Sequence, residues 1–146
     1  MDRKVLVING PNVNFIGKGA NSCGSDSYEN LLKMIEEEAE KRYISVECFQ
    51  SNYEGALIDR LQQAAAEKVD GIIINPGALM HYSYALYDCL LDIAIPKIEV
   101  HHMDIYSREP FRRISVTSPA CDITVQRGGA DAYVIALDRL NELWGE

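Results

Sequence analysis

The 146-residue chain is long enough for one domain, spanning residues 1–146, with a proper core, and its 47% hydrophobic and 25% charged composition is ordinary for a globular protein. A net charge of −8 argues against a nucleic-acid or anionic-membrane surface, because binding a polyanion needs a dense basic face. No apolar run approaches membrane-spanning length and no leader follows Met1, so the expectation is a cytoplasmic protein.

The first strand-like run covers residues 5–8 and passes into Asn9-Gly10-Pro11-Asn12. A polar loop at 17–26 follows, with three glycines and Cys23, and is the candidate for a lid. Residues 27–43 have helical period, with Tyr28, Leu31, Leu32, Ile35 and Ala39 on one face. Asp26 and Glu29 are spaced as a capping box. The acidic run Glu36-Glu37-Glu38 reads as a solvated helix face. A second strand at 46–49 leads into Gln50-Ser51-Asn52, read as a helix cap, and a helix at 54–67. A third strand at 71–74 leads into Asn75-Pro76-Gly77, then His81 and a helix at 83–93. A fourth at 97–100 runs into His101-His102, and a fifth at 123–125 precedes a helix at 130–144.

Five βα units imply a parallel sheet with helices on both faces, a flavodoxin-like three-layer sandwich with strand order 2-1-3-4-5. Ligands bind such sheets beyond the carboxyl ends of the strands. Three polar loops fall there, so the expected site takes a small polar molecule. Glu99 and His101 are two apart on one strand and share a face. A carboxylate beside an imidazole fixes its tautomer and suits it to acid catalysis. The pair alone serves a structural hydrogen bond as well; its place at a strand end favours catalysis. The three histidines, His81, His101 and His102, all fall in two of these loops. No third metal ligand has recognisable spacing, so a metal site is not expected. The four cysteines are scattered with no CxxC, and Cys48 and Cys89 read as buried free thiols. Asn9, Asn12 and Asn75 suit either a site or a turn. Neither a Walker loop nor GxGxxG is present, so a nucleotide is not expected. Arg108, Arg112 and Arg113 follow the fourth strand and suit carboxylate or polyol oxygens, one or two of them as surface partners.

The motifs NGPNVN at 9–14, QSNYEG at 50–55, NPGALMHYS at 75–83, EVHHMDIYSREPFRRIS at 99–115 and GGADAYVIAL at 128–137 resemble type II 3-dehydroquinate dehydratase, in order and across residues 4–140. The resemblance implies a trimer-based dodecamer that dehydrates 3-dehydroquinate to 3-dehydroshikimate through an enolate, without metal or cofactor. It implies that Asn12 holds a water against the enolate and that His101 protonates the departing hydroxyl. Asn75, His81 and Arg112 would hold the substrate, main-chain groups of His102 and Met103 its carboxylate, and Asp88 would reach a neighbouring subunit's pocket.

The chain departs from the family pattern in the lid. Where the family reads G-x-R-E-P-x-x-Y-G, this stretch is one residue shorter, has no arginine, and carries Cys23 at the place of the tyrosine that takes the substrate proton. Tyr28 aligns with an apolar position and is expected in the core. Tyr53 replaces a histidine, and Met103 and Asp104 replace serine and asparagine. Cys23 is therefore the positional candidate for the base. The rival readings are a family member acting on another cyclic hydroxy-acid or hydroxy-ketone, and a ligand-binding homologue without catalysis.

Overall fold

The computed structural model describes residues 2–18, 27–126 and 128–145. Strands β1 (Arg3–Asn9), β2 (Ile44–Gln50), β3 (Gly71–Asn75), β4 (Lys97–Val100) and β5 (Ile123–Val125) form one parallel sheet in the order β2-β1-β3-β4-β5. This is the expected order. The α-helices are α1 (Tyr28–Glu40), α2 (Glu54–Glu67), α3 (Tyr84–Leu91) and α4 (Asp131–Leu143).

The layers follow from alternation along buried strands. Val5 and Val7 of β1 pack with Leu31 and Ile35 of α1 and with Ala136 and Leu137 of α4. Leu6 and Ile8 point the other way, onto Leu57 and Leu61 of α2 and Leu86 and Leu90 of α3. Both faces of the sheet are thus covered, as a flavodoxin-like sandwich requires. The order of strand addition reverses between β1 and β3, with β2 on one side of β1 and β3 to β5 on the other, which leaves a crevice outside their carboxyl ends.

Two local expectations are corrected. Five βα units would put a helix between β4 and β5, and none forms there: the passage is made of three 3-10 turns, Ile105–Ser107, Pro110–Arg112 and Ser118–Ala120. Pro110 and Pro119 remove backbone donors and bias the residues before them away from helix. The cap of α1 is Ser27, whose side chain accepts the Asn30 N–H at 3.1 Å; Asp26 lies outside the described residues. Ser83 caps α3 in the same way, accepting the Leu86 N–H at 3.0 Å, and its hydroxyl also donates to the Glu54 carboxylate at the start of α2.

The opposite end of the sheet is clasped by the last turn of the chain. Trp144 Nε1 donates to the Asp70 carbonyl at 3.0 Å, and the Arg3 guanidinium lies 4.7 Å from the indole centroid. Cys48, Cys89 and Cys121 are free and only partly buried. Burial pushes the thiols of Cys48 and Cys121 up to about 12. Among the described residues no helix is long and apolar enough to cross a membrane.

Candidate active site

The site is assembled where the loops after β1, β3 and β4 meet. The β1 loop turns at Asn12, whose φ of 68° is a left-handed conformation that asparagine tolerates better than most residues. The turn is held by Asn52, whose Oδ1 accepts the Asn12 N–H at 3.0 Å and the Gln50 side-chain N–H at 3.1 Å. Gln50 and Asn52 therefore brace the β1 loop, and the helix-cap reading of this triplet is corrected. Ser51 makes a local turn, accepting the Tyr53 N–H at 3.0 Å, while Tyr53, at the N-cap of α2, makes no side-chain cap.

The β1 and β3 loops approach backbone to backbone. The Gly10 N–H donates to the Asn75 carbonyl at 2.8 Å. A Cβ on Gly10 would stand 2.3 Å from the Pro76 oxygen, and one on Gly77, at φ +63°, would stand 2.8 Å from the Pro11 oxygen. Only glycine fits either position. This contact sets the spacing between Asn12 on one loop and Asn75 on the other.

Between the loops opens a cleft of about 360 Å³. Its polar lining includes Asn12, Asn75, His81, His101, Arg108 and Arg112, together with His102 and Met103; its apolar floor includes Val13, Ile16, Met80 and Ile105. The expected candidates Asn12, Asn75, His81, His101, His102, Met103 and Arg112 thus share one cavity. Arg108 joins them, and Arg113 is exposed elsewhere.

His101 follows β4 and is 1% exposed; Glu99, two residues earlier, is fully buried. The His101 Nε2 donates to the Glu99 carboxylate at 2.6 Å. The same carboxylate accepts the Ser115 hydroxyl at 2.7 Å and the Thr117 hydroxyl. Three donors compensate a carboxylate with no access to water. With Nε2 committed, Nδ1 is the remaining polar atom of the ring, and it is buried with no hydrogen-bond partner in the protein. His101 lines the cavity, so its ring stands beside the space a bound molecule would fill. Glu99 itself does not line the cavity; it acts through His101.

His81 is held by its own anchor, Nδ1 donating to the Ile114 carbonyl at 2.7 Å, which leaves Nε2 for a ligand. Arg112 is braced by Glu109, its Nε donating at 2.6 Å. That contact holds the Glu109 carboxyl below its usual range. Burial pushes the His102 imidazole below its usual value.

Other candidates fall elsewhere. Asp88 is exposed on α3, outside this cavity. Cys23 lies outside the described residues. Tyr28 is half-buried against the core, as expected, but its hydroxyl also accepts the Asn9 Nδ2–H at 3.3 Å. Asn9 is fully buried and does not line the cavity. Sequence reasoning did not single out Ser115 and Thr117 as partners of Glu99, or Tyr133, whose buried hydroxyl donates to Asn9 Oδ1 at 2.6 Å. Their separations in sequence are 16, 18 and 124 residues, which no local spacing rule reaches. Among the described residues no three His, Cys, Asp or Glu side chains gather as a metal ligand set.

A family profile described as Dehydroquinase class II matches residues 3–141 of this chain. The chain is 51% identical over 142 residues to a 3-dehydroquinate dehydratase of Caldicellulosiruptor bescii, covering 97% of this chain and 98% of that protein. Its fold superposes on the crystal structure of a type II dehydroquinase from Butyrivibrio crossotus with a TM-score of 0.93 at 48% identity, covering 96% of this chain and 98% of that one. A type II dehydroquinase from Propionibacterium acnes gives a TM-score of 0.88 at 31% identity, covering 97% and 99%.

Proposed function

The chain belongs to the class II dehydroquinase family, and from that premise we propose how its cavity dehydrates 3-dehydroquinate to 3-dehydroshikimate. The observation that carries the reading is His101: a buried imidazole with one nitrogen tied to Glu99 and the other left without a protein partner. The reaction breaks a C–H bond beside a ketone, forms an enolate, and expels a hydroxyl from the next carbon. His101 Nδ1 gives its proton to the departing hydroxyl, which leaves as water. Glu99 holds the ring and stabilises the imidazolium before transfer. Asn12 holds the water that meets the enolate oxygen. Asn75, His81 and Arg112 hold the hydroxyls and ring, and main-chain groups of His102 and Met103 hold the carboxylate. Asp88 lies on the surface of α3, where a neighbouring copy in a trimer would receive it.

Proton abstraction falls to Cys23, which occupies the lid position where the family carries tyrosine. An ordinary thiol has a pKa of about 8.5, so its thiolate fraction rises through the alkaline range. A second reading rests on His102, whose half-buried side chain stands in the cavity wall. The deciding test is a continuous assay of 3-dehydroquinate turnover on protein purified from a host lacking its own dehydroquinase. Turnover that climbs with pH and falls in Cys23→Ser supports the thiolate. Full activity in Cys23→Ser with loss in His102→Gln moves the base to His102. No turnover at any pH, with a ring carboxylate still bound, favours a binding protein over an enzyme.

A further inference from the structure

Beneath the cavity runs a chain of buried polar contacts that the mechanism above does not use. Gly77 N donates to Asn75 Oδ1 at 3.1 Å, and Asn75 Nδ2 donates to the Tyr133 hydroxyl at 3.1 Å. The Tyr133 hydroxyl donates to Asn9 Oδ1 at 2.6 Å, and Asn9 Nδ2 donates to the Tyr28 hydroxyl at 3.3 Å. Tyr133 and Asn9 are fully buried, and Asn75 is 4% exposed.

The polarity of this chain follows from its first member. A backbone N–H is a donor only, so the Gly77 N–H must face the oxygen of the Asn75 amide. The amide nitrogen therefore faces Tyr133, whose oxygen must accept. The phenol proton is then free to go only to Asn9 Oδ1, and that turns the Asn9 nitrogen toward Tyr28. Each link leaves the next one no choice of direction. An amide nitrogen carries two hydrogens, and Tyr133 takes one of those on Asn75. Because Asn75 also lines the cavity, the second is the one it offers to a ligand.

We propose that Tyr133, on α4, is a positioning residue for the dehydration, fixing the Asn75 amide so that its second N–H meets a substrate oxygen. This rests on the dehydratase reading and adds to it a residue that does not touch the substrate. Burial holds the Tyr133 phenol above its ordinary pKa, so the hydroxyl stays protonated and the chain keeps its direction. Without the hydroxyl, the Asn75 amide keeps only the Gly77 N–H on its oxygen and loses the acceptor that holds its nitrogen in place.

The test is a double-mutant cycle on the purified full chain, with Tyr133→Phe and Asn75→Ala made singly and together and assayed with 3-dehydroquinate. Tyr133→Phe is expected to raise KM about 10-fold with kcat within about 3-fold of wild type, as for one misdirected hydrogen bond. In the Asn75→Ala background the same change should move KM less than about 2-fold, because no amide remains to misdirect. An equal KM rise in both backgrounds makes Tyr133 merely structural and overturns the proposal, as does an unmoved KM in Tyr133→Phe. If Tyr133→Phe does not fold, Asn9→Leu runs the same cycle. It removes the acceptor of the phenol proton, frees that proton to turn toward Asn75, and carries the same expectation. An active wild type with additive variants sinks this inference alone; an inactive wild type sinks the dehydratase reading with it.

Discussion

His101 and Tyr28 separate two kinds of polar residue at the cavity end of the sheet. Replacing His101 by alanine removes an imidazole whose Nδ1 faces no protein partner, so turnover should fall by about 10²–10⁴-fold, the range of a lost general acid. The fold should survive, as an unchanged far-ultraviolet dichroism spectrum would show; unchanged turnover would remove His101 from the chemistry. Tyr28→Phe should leave kcat within about 2-fold, because that hydroxyl does not line the cavity and burial raises its pKa, opposite to what a phenolate base needs. Loss of activity in Tyr28→Phe beside an active Cys23→Ser would make Tyr28 the base. Much of the candidate site was legible at this scale. Three histidines in two strand-end loops, and a glutamate two residues from one of them, announce themselves by spacing. Thr117 and Tyr133 do not, because they meet Glu99 and Asn9 only after the chain has folded back over 18 and 124 residues.

At the level of elements, the junction between the β1 and β3 loops is the most constrained joint. Gly77→Ala places a side chain in a left-handed conformation, at a cost of about 1–2 kcal/mol, and drives its Cβ to 2.8 Å from the Pro11 oxygen. Both effects pry apart the loops that carry Asn12 and Asn75. Stability in urea should drop by at least that amount, and KM for 3-dehydroquinate should rise with it. A Gly77→Ala protein with wild-type midpoint and KM would show the contact to be slack. The strands and helices were readable because strand-like runs alternate with segments of period 3.6, and α2 spans Glu54–Glu67 as its period predicts. The β4–β5 passage was not. Its apolar residues lack helical period, and its prolines break it into turns that its own side chains tie back to the sheet, Ser115 and Thr117 on Glu99 of β4.

For the molecule as a whole, alkali is the condition that unsettles the buried acids. In the unfolded chain a thiol ionises near about pH 8.5, whereas in the fold Cys48 and Cys121 hold their protons to about 12. Tyr28 and Tyr133 are shifted in the same direction. A pKa raised by folding contributes stability that is complete below the unfolded value and is lost as pH climbs toward the folded one. The urea midpoint should therefore decline between about pH 9 and 11, and iodoacetamide should spare Cys48 and Cys121 in the folded protein at pH 8. A midpoint flat across that range would contradict the burial of these groups. Assembly is tested separately by light scattering, where a trimer or a multiple of it is expected and a monomer at micromolar concentration would remove the role given to Asp88. The clasp at the far end of the sheet has its own use. Trp144 is the only tryptophan in the chain, and it is stapled to Asp70 and Arg3 beside the amino ends of the strands, a full strand length from the cavity. Its fluorescence is therefore a built-in gauge of global unfolding that stays silent when a ligand enters the cleft, so one cuvette can report melting without the optical signature of occupancy.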